Sequence, residues 1–216
     1  MTPHVVAVHV GLPRDEQMFG RTQRTAIRKS AVAGPVAVDE AGLEGDQAAD
    51  PDHFGPFHAV YAFADEDLEL WSERLGAPVP RGLFGENLTT RGIDVNAALV
   101  GERWRVGTVL LEVVGVRIPC SVFKGWMGIA GLDDTAWVKR FADEGRPGPY
   151  LRVLEPGTLQ AGDALEVVHR PGHDVTVSTM FRAMTTERHL LPRLAKLDGI
   201  DPEAEEMARV HVAASA

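Results

Sequence analysis

The first ~170 residues carry short apolar runs broken by glycine, proline and polar turns, a rhythm of strands rather than helices. The runs "VVAVHV" (5–10), "GPVAV" (34–38), "HAVYAF" (58–63), "RWRVGTVLLEVVGV" (103–116), "YLRVLEPG" (150–157) and "DALEVVHR" (163–170) are rich in β-branched residues and predict strands. Turns such as "LEGD", "EPGT" and "QAGD" link them, which favours a curled sheet or barrel over parallel βαβ units. Two segments break the rhythm with helical spacing. In "DEDLELWSERLG", Leu68, Trp71 and Leu75 recur at i, i+3 and i+7, acids fill the first turn and Gly76 marks the stop. In "DDTAWVKRFADEG", Trp137 and Phe141 pair at i, i+4 ahead of Gly145.

Beyond "RPGHD" the period becomes helical. Met180, Met184, Leu191 and Leu194 are predicted to share a helix face, and "DPEAEEMARVHVAA" opens with Asp201 as a cap and Pro202 at the first helical position. The chain therefore reads as a mainly β body, residues 1–172, followed by a small α-helical C-terminal segment, residues 173–216. The four tryptophans and the methionines are most simply core residues.

Composition narrows the classes of function. With 44% hydrophobic and 25% charged residues, the 216-residue chain is that of an ordinary globular protein able to bury a core. A net charge of −9 argues against nucleic acid as a partner, since phosphate binding needs a basic face. No apolar run approaches the ~18 residues that span a bilayer, and the N-terminal stretch lacks a signal peptide's basic start, so no membrane association and a cytoplasmic location are expected. Cys120 is the only cysteine, which excludes an intramolecular disulfide and any thiolate-rich zinc site.

Four stretches carry candidate chemistry. A lone cysteine is as readily a small apolar filler as a reactive thiol. Here, however, Pro119 stiffens the chain before Cys120, while Arg117 and Lys124 are cations able to favour a thiolate. The loop "GLFGENLTT" offers glycines that permit close approach, with Glu86 and Asn87 as polar groups, and reads equally as a hydrogen-bonded connector. "RTQRTAIRK" concentrates Arg21, Arg24, Arg28 and Lys29 without an acid, either as a solvated edge or as a local basic pocket. On a strand, Tyr150 and Arg152 lie two apart and face one side, giving a phenol and a guanidinium to one cavity. Asp46, Asp50, Asp52, His53 and His58 are spaced too irregularly to be a strong metal signal.

Taken in chain order, "RTAIRKSAVAGPVAV", "GLEGDQAAD", "HFGPFHAVYAF", "LFGENLTTRGI", "VGERWRVGTVLLEVVGVRIPC" and "GPYLRVLEPGTLQAGDALEV" resemble the MOSC-domain family, the molybdenum cofactor sulfurase C-terminal domain, over roughly residues 4–170. The helical tail is similar to that of the family's stand-alone bacterial branch. The resemblance implies a mainly β, barrel-like MOSC fold with a few helices, and a pterin-based molybdenum cofactor that reduces N-hydroxylated compounds. It implies that Cys120, after an Arg-x-Pro, is the thiolate ligand of molybdenum. Arg24, Lys29, Arg117 and Arg152 would then neutralise the cofactor's phosphate and the anionic metal centre. Gly85, Glu86 and Asn87 would read the pterin edge, His53 would border the pocket as a proton donor, and Tyr150 would line the substrate side.

Electrons would come from a separate donor protein, because the chain shows no FAD or NAD fingerprint and no cysteines for an iron–sulfur cluster. Pyridoxal phosphate is not expected, since no aminotransferase-like domain fits in this length. Homodimerisation is left open. Two other readings stand beside the reductase: a sulfur-carrier module with a persulfide on Cys120 and no redox turnover, and a domain that keeps the fold but has lost the cofactor. The sequence also departs from the family pattern. "HFG" stands where His-Gly-Gly is usual, Val116 where a proline commonly precedes the arginine, and Glu102 where aspartate is usual.

Overall fold

Residues 103–116, the longest strand-like run, fold back on themselves at Gly107, which takes a positive φ of 55° in a two-residue turn. A computed structural model describes residues 2–49 and 55–214. Its strands are β1 (His4–Val10), β2 (Arg14–Met18), β3 (Arg21–Thr25), β4 (Ser30–Ala31), β5 (Val36–Asp39), β6 (Gly42–Leu43), β7 (Val60–Ala64), β8 (Leu88–Arg91), β9 (Arg103–Val106), β10 (Val109–Val116), β11 (Pro149–Glu155), β12 (Gly157–Leu159) and β13 (Leu165–His169). Its helices are α1 (Asp65–Leu75), α2 (Ser121–Ile129), α3 (Trp137–Glu144), α4 (Val177–Met184), α5 (Leu191–Leu194) and α6 (Pro202–Ala214).

Eight strands form one sheet in the order β13-β9-β10-β11-β7-β8-β1-β4, beside a three-stranded sheet β12-β5-β6 and the hairpin β2-β3. Pairing in the large sheet is antiparallel except between β7 and β8. That one parallel pair is joined through α1, as a parallel connection requires. The sheet curls so that the start of β1 meets the segment before β13. His4 bridges Ala164, and the Val5 amide donates to the Asp163 carbonyl at 2.9 Å. This contact is an isolated bridge, so of the two expected forms, curled sheet or barrel, the protein has the curled sheet that does not close.

All four tryptophans are buried, as their low number and large apolar area demand. Trp71, Trp137, Phe84, Phe123 and Phe141 pack edge-on and tilted in one aromatic cluster between the sheet and helices α1, α2 and α3. α1 ends as its sequence predicts: Gly76 is left-handed and its amide donates to the Glu73 carbonyl. α2 was not anticipated, because "SVFKGWMGI" contains two glycines and lacks a capping side chain. β2 and β3 were also missed, since "RDEQM" and "RTQRT" carry no apolar alternation.

The C-terminal helices add Met180, Phe181, Met184, Leu191, Leu194 and Ala204 to the same hydrophobic core as the sheet. Met184 and Leu191 lie on separate helices joined by a 3-10 turn, Arg188–Leu190, so the four apolar residues converge without sharing one helix. Asp201 caps α6 as expected, accepting from the Glu203 amide at 2.9 Å and the Ala204 amide at 3.3 Å. Its own amide donates to the Val114 carbonyl, which ties the tail to β10. No helix of the described residues is long and apolar enough to cross a membrane.

Gly148 shows how tightly the sheet edge beside Arg117 is fitted. Its φ is +71°, its amide donates to Asn96 Oδ1 at 3.0 Å, and a Cβ there would lie 2.3 Å from the Ala62 carbonyl oxygen. Gly148→Ala is expected to lower stability by about 2–4 kcal/mol in urea denaturation. Gly172→Ala, where a Cβ meets nothing within 4 Å, is expected to leave the midpoint unchanged.

Candidate active site around Cys120

β10 leaves the sheet at Val116, and Arg117-Ile118-Pro119 carries the chain to Cys120, the residue preceding the first turn of α2. Its backbone is extended, its carbonyl accepts from the Lys124 amide at 3.1 Å, and its thiol is exposed. Cys120 therefore stands at the positive end of a helix whose first turn holds no acid. It opens onto a cavity of about 200 Å³ that also receives Arg24, Lys29, Asp46, His58, Tyr61, Gly85, Asn87, Arg117 and Tyr150.

Arg117 is the cation of this cavity that has no carboxylate partner among the described residues. Its guanidinium lies 4.6 Å from the Phe123 ring centre and 5.3 Å from that of Tyr61, and its buried Nε has no hydrogen-bond partner among the described residues. Burial works against its charge, but the phenols of Tyr150 and Tyr61 and the Cys120 sulfur beside it carry its pKa above the ordinary value. Gly85, at φ +78°, makes room: a Cβ there would press on Ile27 at 3.2 Å and approach Arg117 Nη1 at 3.6 Å.

Lys29 differs, because Asp46 already grips its ammonium with both oxygens at 2.5 Å. Burial pushes the lysine pKa down against that pull. Asp46 also accepts from the Gly11 amide at 2.7 Å and from Asn87 Nδ2 at 2.8 Å. Asn87 in turn donates to the His9 carbonyl and accepts from the Tyr61 amide at 3.0 Å. Both donors and the acceptor of this amide are thus taken by the framework, so Asn87 builds the wall and presents no free edge to a heterocycle.

Two phenols complete the wall. Tyr61 donates to the Pro147 carbonyl at 2.7 Å, and burial lifts its pKa well above the usual value. Burial likewise raises that of Tyr150, which packs edge-on against His58 with ring centres 4.7 Å apart. His58 Nε2 meets Asp201 Oδ2 at 3.0 Å. Burial opposes ionisation of Asp201, yet the His58 contact and the amides of α6 hold its carboxyl below the usual range.

Two expected site residues lie elsewhere, and a third is outside the described residues. Arg152 shares a strand face with Tyr150 but is drawn off by the carboxylate opposite it in β10, Glu112, which Nε reaches at 2.6 Å; Arg103 binds the same carboxylate at 3.0 Å. These three border a second cavity, so Arg152 does not face Cys120. Glu86 points inward, accepting from the Gly82 amide at 2.5 Å, the Phe84 amide at 3.1 Å and the Thr89 hydroxyl at 3.0 Å. It shapes the 82–87 loop from beneath and is absent from the cavity lining. His53, with Asp50 and Asp52, lies outside the described residues. Among the described residues no three of His, Cys, Asp and Glu form a metal-binding group.

Sequence reasoning did not single out Tyr61 or Asp201, and weighed Asp46 and His58 only as weak metal candidates. Tyr61 was hidden in an apolar run read as core, and Asp201 in a capping position. Tyr61 joins the cavity of Cys120 directly and Asp201 only through His58, both by long-range packing that has no local signature.

The site is thus one exposed thiol set by a mainly β fold at a cavity walled in part by cations. The MOSC-domain family pattern matches residues 49–166, more than half of the chain, and the chain belongs to that family. It is 31% identical to the YiiM protein of Escherichia coli over 169 residues, 74% of this chain and 71% of that one. The crystal structure of YiiM from Geobacillus stearothermophilus is similar with a TM-score of 0.79 at 26% identity, covering 97% of this chain and 99% of that one. A protein of Gibberella moniliformis named "Reductase" is 30% identical over 189 residues, 82% of this chain but 32% of its own longer one.

Glu86 makes the loop pH-sensitive. Burial raises its pKa from 4.5 to about 7, so between these values the native state keeps a proton that the unfolded chain releases. Its contribution is greatest below pH 4.5 and falls as pH rises to about 7, on the order of 3 kcal/mol. His9 acts oppositely: burial, then Lys29 and Arg81, lower its pKa from 6.5 to about 4, so its contribution rises across that window. Relative to wild type, Glu86→Gln is expected to gain about 2–3 kcal/mol in stability between about pH 5 and about pH 8, measured by chemical denaturation at the two values.

Proposed function

We propose that this protein is a molybdenum-cofactor-dependent reductase of small N-hydroxylated compounds. The observation that carries this reading is that Cys120 and Arg117 open onto one cavity, the first with an exposed thiol and the second with a buried, unpartnered Nε. A site of this kind fits an anionic group that bears a soft metal: the thiol offers a soft ligand and the guanidinium a counter-charge. The longer relative named a reductase agrees with this class of activity.

When bound, the cofactor supplies the two-electron chemistry that cleaves an N–O bond. The chain's own residues do the rest. Cys120 is held by Pro119 and α2 as the thiolate ligand. Arg117 balances anionic charge, and its aromatic neighbours fix the guanidinium in place. Lys29, already neutralised by Asp46, stiffens the wall more than it adds charge. Tyr150, kept protonated by burial, presents a hydroxyl donor on the cavity side. Conversion of R–NHOH to R–NH₂ and water consumes two electrons and two protons, and Tyr150 and His58, packed together in this wall, are groups able to hold or pass a proton.

The exposure of Cys120 also favours a second reading, a persulfide carrier, because a partner can reach the sulfur. Protein made in a host that synthesises the cofactor separates the two. Wild type is expected to hold molybdenum by elemental analysis and to reduce a hydroxylaminopurine. Cys120→Ser is expected to lose at least about tenfold in activity and most of its metal, with an unchanged denaturation midpoint. Wild type without molybdenum, or a serine variant with equal metal and activity, would overturn the assignment. A persulfide on Cys120 by intact mass, without metal, would establish the carrier.

A further inference from the structure

Under the reductase reading, on which this inference rests, electrons must reach the cavity from another protein, so a docking surface has to lie beside Cys120. One surface there is built unlike the rest of the molecule. The hairpin β2-β3 turns at Phe19 and Gly20, both with positive φ, 53° and 71°. A two-residue turn of this kind favours asparagine or glycine at its first position, and a bulky aromatic there is strained. Even so, Phe19 holds that conformation and is 55% exposed. Backbone strain of this sort is a feature of functional positions.

Phe19 lies over α2, the helix that Cys120 begins. A Cβ on Gly125 would come within 2.9 Å of its ring, and Lys124 Nζ is 5.9 Å from the ring centre. Ile129, one turn beyond Gly125, is 38% exposed and extends the apolar spot. Arg21 follows the turn and Lys124 lies beside the Phe19 ring, with Arg14 and Arg24 further along the hairpin and Arg28 beyond β3, over Trp126. Among the described residues, Asp15, Glu16 and Asp134 pair with Arg24, Arg28 and Lys124, which leaves Arg14 and Arg21 without an ion pair. A cationic rim with an aromatic centre is the reverse of a chain whose net charge is −9. Arg24 belongs at once to this rim and to the cavity lining, so the patch is continuous with the mouth of the site.

We propose that the Phe19 hairpin and the outer side of α2 form the docking surface for the electron donor, and that the donor is an acidic electron-transfer protein. Its carboxylates would meet Arg14, Arg21 and Lys124 while Phe19 seats against the apolar rim of its redox group. Such encounters are small in area and depend on charge steering, which suits a patch of this size.

The test uses an acidic flavodoxin as probe and three proteins: wild type, Phe19→Asn, and the double reversal Arg14→Glu/Arg21→Glu. Asparagine suits the left-handed turn, so Phe19→Asn is expected to match or exceed wild type in denaturation midpoint. Flavodoxin binding, measured by calorimetry at low salt without turnover, is expected to weaken at least about tenfold in the double reversal and several-fold in Phe19→Asn. Turnover driven by reduced flavodoxin should fall in parallel, whereas turnover driven by dithionite-reduced methyl viologen should be unchanged. Equal flavodoxin binding by all three proteins overturns the docking proposal. So does a patch that instead mediates self-association, seen as a wild-type dimer by ultracentrifugation that the reversal dissociates. Normal flavodoxin binding with no turnover by methyl viologen in metal-loaded wild type overturns the reductase reading alone.

Discussion

The Asp46 carboxylate is the constraint on which the site depends. It accepts from Lys29, from the Gly11 amide and from Asn87, and Asn87 reaches on to the His9 carbonyl and the Tyr61 amide. One buried network thus joins the end of β1, the segment after β3, β7 and the loop before β8. A half-satisfied network at this depth would be strongly unfavourable, so these segments keep one arrangement. Gly85 is placed by that arrangement, and with it the space that Arg117 occupies.

Within this frame the charges around the cavity divide into those that hold the protein together and Arg117, which has no carboxylate among the described residues. Lys29 is answered by Asp46, and Arg152 and Arg103 by Glu112. Arg117 has only aromatic faces, phenols and a thiol around it. Among the described residues no carboxylate neutralises it, which is why the proposed function gives it the role of counter-charge. The C-terminal helices take part as well. Asp201 joins α6, β10 and His58, so the tail helps to set one wall of the cavity while filling the core.

Much of the fold was legible because strand alternation and helix stops are local. The runs 58–63, 103–116, 150–157 and 163–170 all contain strands, and Gly76 and Gly145 end helices where expected. What escaped was structure without an apolar period. β2 and β3 are polar because they form a hairpin apart from the large sheet, and α2 is glycine-containing because Phe19 and Met18 pack directly on Gly125. Between a curled sheet and a closed barrel the sequence left the choice open, because closure depends on the partners of the edge strands, which strand content does not encode.

The site divides in the same way. The sequence by itself determined that a lone cysteine follows Arg-x-Pro, that cations and a glycine-rich loop are available, and that the family is the MOSC domain. Only the tertiary structure decided which of those groups face Cys120. Arg117, Lys29, Gly85, Asn87 and Tyr150 converge there, while Arg152 turns to Glu112 and Glu86 turns inward. The physical reason is that a charged or amide side chain goes where its partner is. In this fold the partners, Asp46, Glu112 and the Gly82 amide, are brought up by strand pairing and by the course of the loops.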